Sequence, residues 1–425
     1  MAFSVLAIIL IVILAKSRTG IDAESDLSDS MADSRWCDTL TNAASELQAL
    51  ADMDRQIETF MNKWNLRGVS LAVMRNDSLL IAKGYGYADR EAGKRMQPTS
   101  IMRMASVSKL VTAVAVMKLR EQGRLKLDDR VFGPDGILND TSFTNAVRDP
   151  GILDITVDNL LQHKGGFGLG AGDPMFNTKD IMLARHLSTP PDNKQLAQIV
   201  LGRRLAFRPG NGRKYSNFGY MLLSLVIEKV SGQSYWDYVT DNVLKPAGID
   251  NMRPATNYYK DRYDNEVKYY AADDEMVEEY NGSGRMVPRV YGGSNVNALM
   301  GGGGWLGSAA DIARLVAAID KNPAVGDILT QTSVDSLTAF RHGDKASRGW
   351  SDADSLGKWT RTGTLSSTHA LVERFPDGEC WVIFTNTGVW VGHKFSAELQ
   401  RLVNKLRAEY DSRMPRRSLW HVKKS

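Results

Sequence analysis

The stretch RMASVSKLVTAVAVM, residues 103–117, decides how this chain is read. Leu110, Val114 and Met117 fall on one helical stripe that runs on to a stop at Gly123. Ser106 therefore belongs in the first turn of a helix, with Lys109 three residues further on. Residues three apart on a helix are neighbours, with Cβ atoms about 5–6 Å apart. A helix N-terminus favours negative charge, so a developing alkoxide is stabilised there. A lysine buried beside a second cation sheds its proton more readily and can serve a serine as general base. The pair by itself reads better as a helix cap and a surface cation, because S-x-x-K is a cheap pattern. It recurs at Ser355 and Lys358 within DSLGK, where no periodic run follows.

Working outward, a helix is expected where Met53, Ile57, Phe60 and Trp64 repeat at helical spacing. Two strand-like runs, VSLAVMR and LLIAKGYGYA, flank Asn76 and Asp77, which reads as a hairpin. The C-terminal region mirrors this, with HALVERF and CWVIFTNT on either side of the turn signal PDG. A closing helix carries Phe395, Leu399, Leu402 and Leu406 on one stripe. Strands thus come from both ends of the chain, with helix and loop between them. The expected fold class is α+β: one antiparallel sheet formed by both chain ends and flanked by helices, with a mostly helical lobe inserted. Residues 251–300 are rich in Tyr, Asp, Glu, Asn and Gly and read as a long, lid-like loop, a kind of segment that is often functional.

Two further stretches carry chemistry. In FRPGNGRKYSNFGYMLLSLVIEKVSG, Tyr215, Ser216 and Asn217 follow a Pro-Gly turn and precede an apolar helix ending near Gly232. A tyrosine near two cations has its pKa lowered and can shuttle protons. Asn217 can donate to a substrate carbonyl and accept from Lys109. In KWTRTGTLSSTHALVERF, Arg361, Thr362 and Gly363 open a strand-like run. Glycine permits close backbone approach, and the Thr364 N–H paired with that of Ser106 would form an oxyanion hole. One such donor is worth about 10²–10³ in rate.

Composition excludes several classes. The chain has 425 residues, is 43% hydrophobic and 24% charged, and carries a formal charge of only +4. That balance suits a globular protein and no nucleic-acid groove. The six histidines form no H-x-H or H-E-x-x-H, and the two cysteines, Cys37 and Cys380, no C-x-x-C, so no metal or other cofactor is expected. No G-x-S-x-G elbow is present for a Ser-His-Asp hydrolase. Residues 3–15 are an unbroken run of apolar and small side chains, short for a bilayer span and suited to a signal peptide over residues 1–23. Secretion to an extracellular or luminal compartment follows. A signal-anchored membrane protein is the rival, since Lys16 and Arg18 follow the run and no basic residue precedes it. Residues 24–50 read as an extension, 51–410 as the folded domain and 411–425 as a solvated basic tail. Cys37 and Cys380 either pair or remain separate thiols. Asn76, Asn139 and Asn281 begin N-x-S/T sequons.

S-x-x-K, then Y-S-N, then a basic residue with Thr-Gly, in that order, resembles the serine β-lactamase and penicillin-binding-protein superfamily. Tyr in the middle motif is similar to the class C β-lactamase branch, with its D-alanyl-D-alanine carboxypeptidases, esterases and animal β-lactamase-like proteins. FRPGNGRKYSN, ITVDNLLQHKGGF and GGGGWLGSAADIARL resemble that branch's flanking signatures, and the likeness spans about residues 52–410. The resemblance implies a β-lactamase/transpeptidase-like fold and a serine hydrolase working through an acyl-enzyme on a small-molecule or peptide substrate. Ser106 would be the nucleophile, with Lys109 and Tyr215 sharing the proton work. Asn217 would position the substrate amide, and the Ser106 and Thr364 N–H groups would hold the oxyanion. Arg361 stands where the family has Lys or His. It keeps the charge, cannot relay protons, and would grip a substrate carboxylate bidentately. His163, in HKGG, reads as a structural histidine. Peptidase, esterase and lactamase all remain open as activities. The Arg361 change keeps a second reading alive: a weak or inactive member acting as a binding or assembly protein.

Overall fold

A computed structural model describes residues 40–168, 172–339 and 347–421. Residues 1–23, expected as a signal peptide, and Cys37 lie outside the described residues. The pairing expectation for Cys380, a buried thiol, therefore lies outside them as well.

Leu40–Trp420 forms one compact unit. Helix α1 (Ala51–Trp64) leads into strands β1 (Gly68–Arg75), β2 (Ser78–Asp89) and β3 (Lys94–Arg95). After β4 (Met102–Arg103) and the central helix α2 (Ser108–Glu121), the chain passes through short helices to α3 (Asn217–Ser231). Short strands β5 (Arg253–Pro254), β6 (Met276–Glu278), β7 (Met286–Pro288) and β8 (Trp305–Gly307) precede α4 (Ala309–Ala317). The chain closes with β9 (Asp352–Ala353), β10 (Trp359–Leu365), β11 (Thr368–Arg374), β12 (Glu379–Thr385) and α5 (Phe395–Tyr410).

The main sheet runs β3-β2-β1-β12-β11-β10-β9, so β1 from one chain end pairs antiparallel with β12 from the other. Asn76 and Asp77 both adopt positive φ, as a tight hairpin between β1 and β2 requires. On one sheet face, Met53, Ile57 and Met61 of α1 pack with Phe395, Leu399 and Leu406 of α5 over Val69, Leu71, Val73, Trp381 and Ile383. Helix α4 covers the other face against β1 and β12. Burial on both faces explains why these strands read as nearly continuous apolar runs.

The central helix differs from its expected amphipathic form. Residues 108–117 of α2 are all buried, Lys109 included, because α3, α4's leading loop and the helix Tyr235–Val239 surround it. A helix hidden on every side is apolar on every side.

Both margins reach further than their sequence suggested. Ser45 Oγ donates to Ala82 O at 2.8 Å, and Asn42 accepts from the Gly84 N–H at 2.8 Å, so residues 42–45 dock on β2. The solvated-tail expectation fails for Met414, Leu419 and Trp420, which are buried, and Trp420 Nε1 donates to Asp77 O at 2.7 Å. Three bulky apolar side chains among basic ones were enough to hold this segment down. Among the described residues no helix is long and apolar enough to cross a membrane.

Candidate active site

Ser106 sits in a single 3₁₀ turn, Ala105–Val107, that leads directly into α2. Ala105 holds φ at 50°, a conformation that disfavours any residue with a Cβ. The turn is held from both sides. The Met104 N–H donates to Trp305 O at 3.2 Å, and Arg361 Nε donates to Ser106 O at 2.7 Å. Strand β10 passes close beneath. A Cβ on Gly363 would stand 2.4 Å from Met104 O and 3.1 Å from Ser106 N. Only glycine lets the strand lie this near the nucleophile.

Tyr215 and Asn217 arrive from the start of α3. Ser216 caps that helix, its Oγ accepting from the Gly219 N–H at 3.0 Å, which fixes the residues on either side. Ser106 Oγ then lies 2.5 Å from Tyr215 Oη and 3.3 Å from Lys109 Nζ. Lys109 also donates to Asn217 Oδ1 at 2.6 Å and to the Gly302 carbonyl. That carbonyl belongs to the glycine run of residues 301–304. A Cβ on Gly301 would fall 2.5 Å from Thr112 Oγ1, and one on Gly302 would fall 2.9 Å from Asn217 O. The run is therefore thin so that it can thread between α2 and α3.

The charges of the site follow from this packing. Burial strips Lys109 of water and, with Arg361 nearby, lowers its pKa to about 8, although Tyr215 pulls the other way. Tyr215 is 46% exposed as a residue, yet its hydroxyl is ringed by Ser106, Lys109 and Arg361. Burial alone would raise that hydroxyl's pKa, but the two cations outweigh it and lower it. His163 is pushed well below its ordinary value, by burial first and then by Lys109 and Arg361. It stays neutral, accepts from the Ser216 N–H at Nδ1 (3.3 Å), and packs its ring 4.5 Å from that of Tyr215. Its work is to hold Tyr215.

The fold thus brings Ser106, Lys109, Tyr215, Asn217, Arg361 and Gly363 into one cluster. Thr362 is committed elsewhere, its N–H donating to Ser351 Oγ at 3.3 Å. Thr364 pairs with His369 across β10 and β11, and their side chains stand 3.5 Å apart. Arg361 departs from its expected outward grip. It is 2% exposed, with Nε on Ser106 O and Nη2 3.4 Å from Tyr215 Oη, so its guanidinium braces the site from beneath. Asp173 escaped the sequence reading. Its carboxylate accepts from the Asn217 N–H at 2.6 Å and from the Met175 N–H at 3.1 Å. Asp before Pro174 signals a cap, but nothing local says that it also anchors the start of α3.

Residues 53–394 match the family model described as Beta-lactamase. The chain belongs to the beta-lactamase family. Protein flp of Staphylococcus aureus (strain MW2) is 28% identical over 221 residues, covering 50% of this chain and 41% of that protein. Penicillin-binding protein 4* of Bacillus subtilis (strain 168) is 29% identical over 198 residues, covering 46% of this chain and 40% of that one. This chain thus spans about two fifths of the length of these curated family members. Among solved structures, the D-amino acid amidase from Ochrobactrum anthropi SV3 superposes with a TM-score of 0.65 at 19% identity, covering 86% of this chain and 99% of that one. Its fold is the family's α+β arrangement, an antiparallel sheet flanked by helices.

Proposed function

We propose that this protein is a serine hydrolase that cleaves an ester, amide or peptide carbonyl through an acyl-enzyme on Ser106. The observation that carries the reading is Ser106 Oγ at 2.5 Å from Tyr215 Oη and 3.3 Å from Lys109 Nζ, at the head of a buried helix. The Tyr215–Lys109 pair, both members with lowered pKa, takes the Ser106 proton as Oγ attacks the carbonyl carbon. The N–H groups of Ser106 and Thr364 receive the oxyanion, and Gly363 keeps the two backbones close enough to share it. Collapse of the tetrahedral species expels the leaving group, which takes the proton back from the Tyr215–Lys109 pair. Water then attacks the acyl carbon and gives its proton to the same pair, which passes it to Ser106 Oγ as the acyl group leaves. Asn217, anchored by Lys109 and Asp173, is placed to bind the substrate amide. Delivery to an extracellular or luminal compartment belongs to the same proposal, on the strength of residues 1–23. N-terminal sequencing of the mature protein checks it.

Intact-mass analysis after incubation with a fluorophosphonate and, separately, with a penicillin tests the chemistry. One adduct is expected on the parent and none on Ser106→Ala, with the two melting at nearly the same temperature. No adduct from either reagent on folded protein overturns the proposal and favours a non-catalytic binding role.

A further inference from the structure

A cavity of about 1140 Å³ opens where residues 258–291 fold against residues 64–67, 90–91 and 387–390. Ser106, Lys109 and Tyr215 are not on its wall. It lies where β1 begins and β2 and β12 end, the same end of the sheet at which β10 finishes at Leu365. The volume matches or exceeds what a small ligand needs, about 300–1,000 Å³.

Its lining is unusual in kind. Trp64, Trp390, Tyr258, Tyr259, Tyr270 and Tyr291 all face it, drawn from separate segments of the chain. Trp390 is 84% exposed and Tyr259 47% exposed, so neither ring is spent on the core. Trp390 nevertheless has a defined place, its ring 6.5 Å from that of Trp64, which packs edge-on against Phe395 at 5.0 Å. Tyr259 is likewise fixed, edge-on to Tyr291 at 5.4 Å. Trp390, a large ring held in place and left open, is a surface for stacking, while the Arg262 guanidinium lies 4.0 Å from the centre of the Tyr259 ring and leaves only part of that ring to a ligand.

The charges on the wall are already matched. Glu91 pairs with Lys268 at 2.9 Å, Glu279 with Arg285 at 2.5 Å, and Glu275 with Arg289. The remaining ionisable lining, Arg67, Arg90 and Lys260 against Asp273 and Asp274, is close to balanced. Such a wall offers many planar hydrogen-bonding groups and a net charge of only one. It does not select an anion or a cation, and an aliphatic chain would strand its polar groups. Flat apolar faces beside forked polar groups suit a neutral ligand carrying C–H faces and hydroxyls together. We infer that this cavity is a binding site for a neutral saccharide, separate from the Ser106 cluster.

Titration calorimetry of the full chain with maltotetraose, cellotetraose and chitotetraose, and with a capped tetra-alanine peptide, tests this. Saturable binding of at least one sugar is expected, weakened about tenfold or more in Trp390→Ala and in Tyr259→Ala. Both side chains are exposed, so both variants fold. Ser106→Ala must bind the sugar as the parent does, and all these variants except Ser106→Ala must still take the fluorophosphonate. That separates failure here from failure of the hydrolase proposal. No heat from any of the three sugars at about ten times the millimolar scale of weak binding overturns the inference. Binding that survives both aromatic substitutions, or preference for the peptide, overturns it as well.

Discussion

Lys109 is fully buried, and its ammonium is held by Ser106 Oγ, Asn217 Oδ1 and the Gly302 carbonyl. With its pKa lowered to about 8, chiefly by burial, its neutral form grows as pH rises toward that value. Fluorophosphonate labelling of Ser106 should therefore accelerate about tenfold per pH unit below pH 8 and level off above it. Arg361 is the second cation acting on Lys109 and Tyr215. In Arg361→Met the inflection should move to higher pH, and the plateau rate should fall because Ser106 O loses its donor. Arg361→Lys should return the inflection but not the full plateau, since an ammonium cannot reproduce the Nε–H bond while reaching Tyr215. A labelling profile unchanged in Arg361→Met would rule out this coupling.

Among the elements, the contact between β10 and the nucleophile turn is the most exacting. Gly363→Ala places a methyl 2.4 Å from the Met104 carbonyl oxygen, so strand or turn must shift. Overpacking of this kind costs about 1–3 kcal/mol, which urea unfolding would read. Labelling should be lost out of proportion to stability, because the displaced backbone carries the proposed oxyanion donors. The start of α3 depends on Asp173 in a milder way. Asp173→Ala leaves the Asn217 and Met175 N–H groups without their acceptor. The expected cost is about 1 kcal/mol, with slower labelling as Asn217 drifts from Lys109. Asp173→Asn keeps an acceptor and should recover most of both.

Across the whole molecule, Asp77 joins distant parts of the chain. It lies in the β1–β2 turn, its carboxylate accepts from the Val325 N–H at 3.1 Å, and Trp420 reaches its carbonyl. Burial, reinforced by Asp320, raises its pKa from 3.8 to about 7. Between those two values the folded protein keeps a proton that the unfolded chain releases. Stability therefore declines as pH rises through that window. Asp77→Asn removes the titration, keeps an acceptor for Val325, and suits the positive φ of 61°. Its melting temperature should approach the parent's near pH 4 and exceed it by a growing margin toward pH 8. A margin constant with pH would mean that Asp77 does not titrate in this range.

Local sequence was sufficient wherever the physics is local. The Asn76-Asp77 hairpin, the stripes of α1 and α5, the turn at Gly378 and the cap of α3 are all settled within a few residues of themselves. Motif order carried the family, and it singled out Ser106, Lys109, Tyr215 and Asn217, whose side chains the fold brings together. What local sequence did not contain was direction and depth. Arg361 faces inward because β10 lies against the Ser106 turn, a contact between residues far apart in the chain. Asp173 reaches Asn217, and Trp420 reaches Asp77, only after distant segments have packed. Among the tyrosines of residues 251–300, Tyr269 is buried and Tyr259 is left 47% exposed, although their local patterns are alike. Burial is a property of neighbours, and the neighbours here are chosen by the closing of one sheet from both ends of the chain.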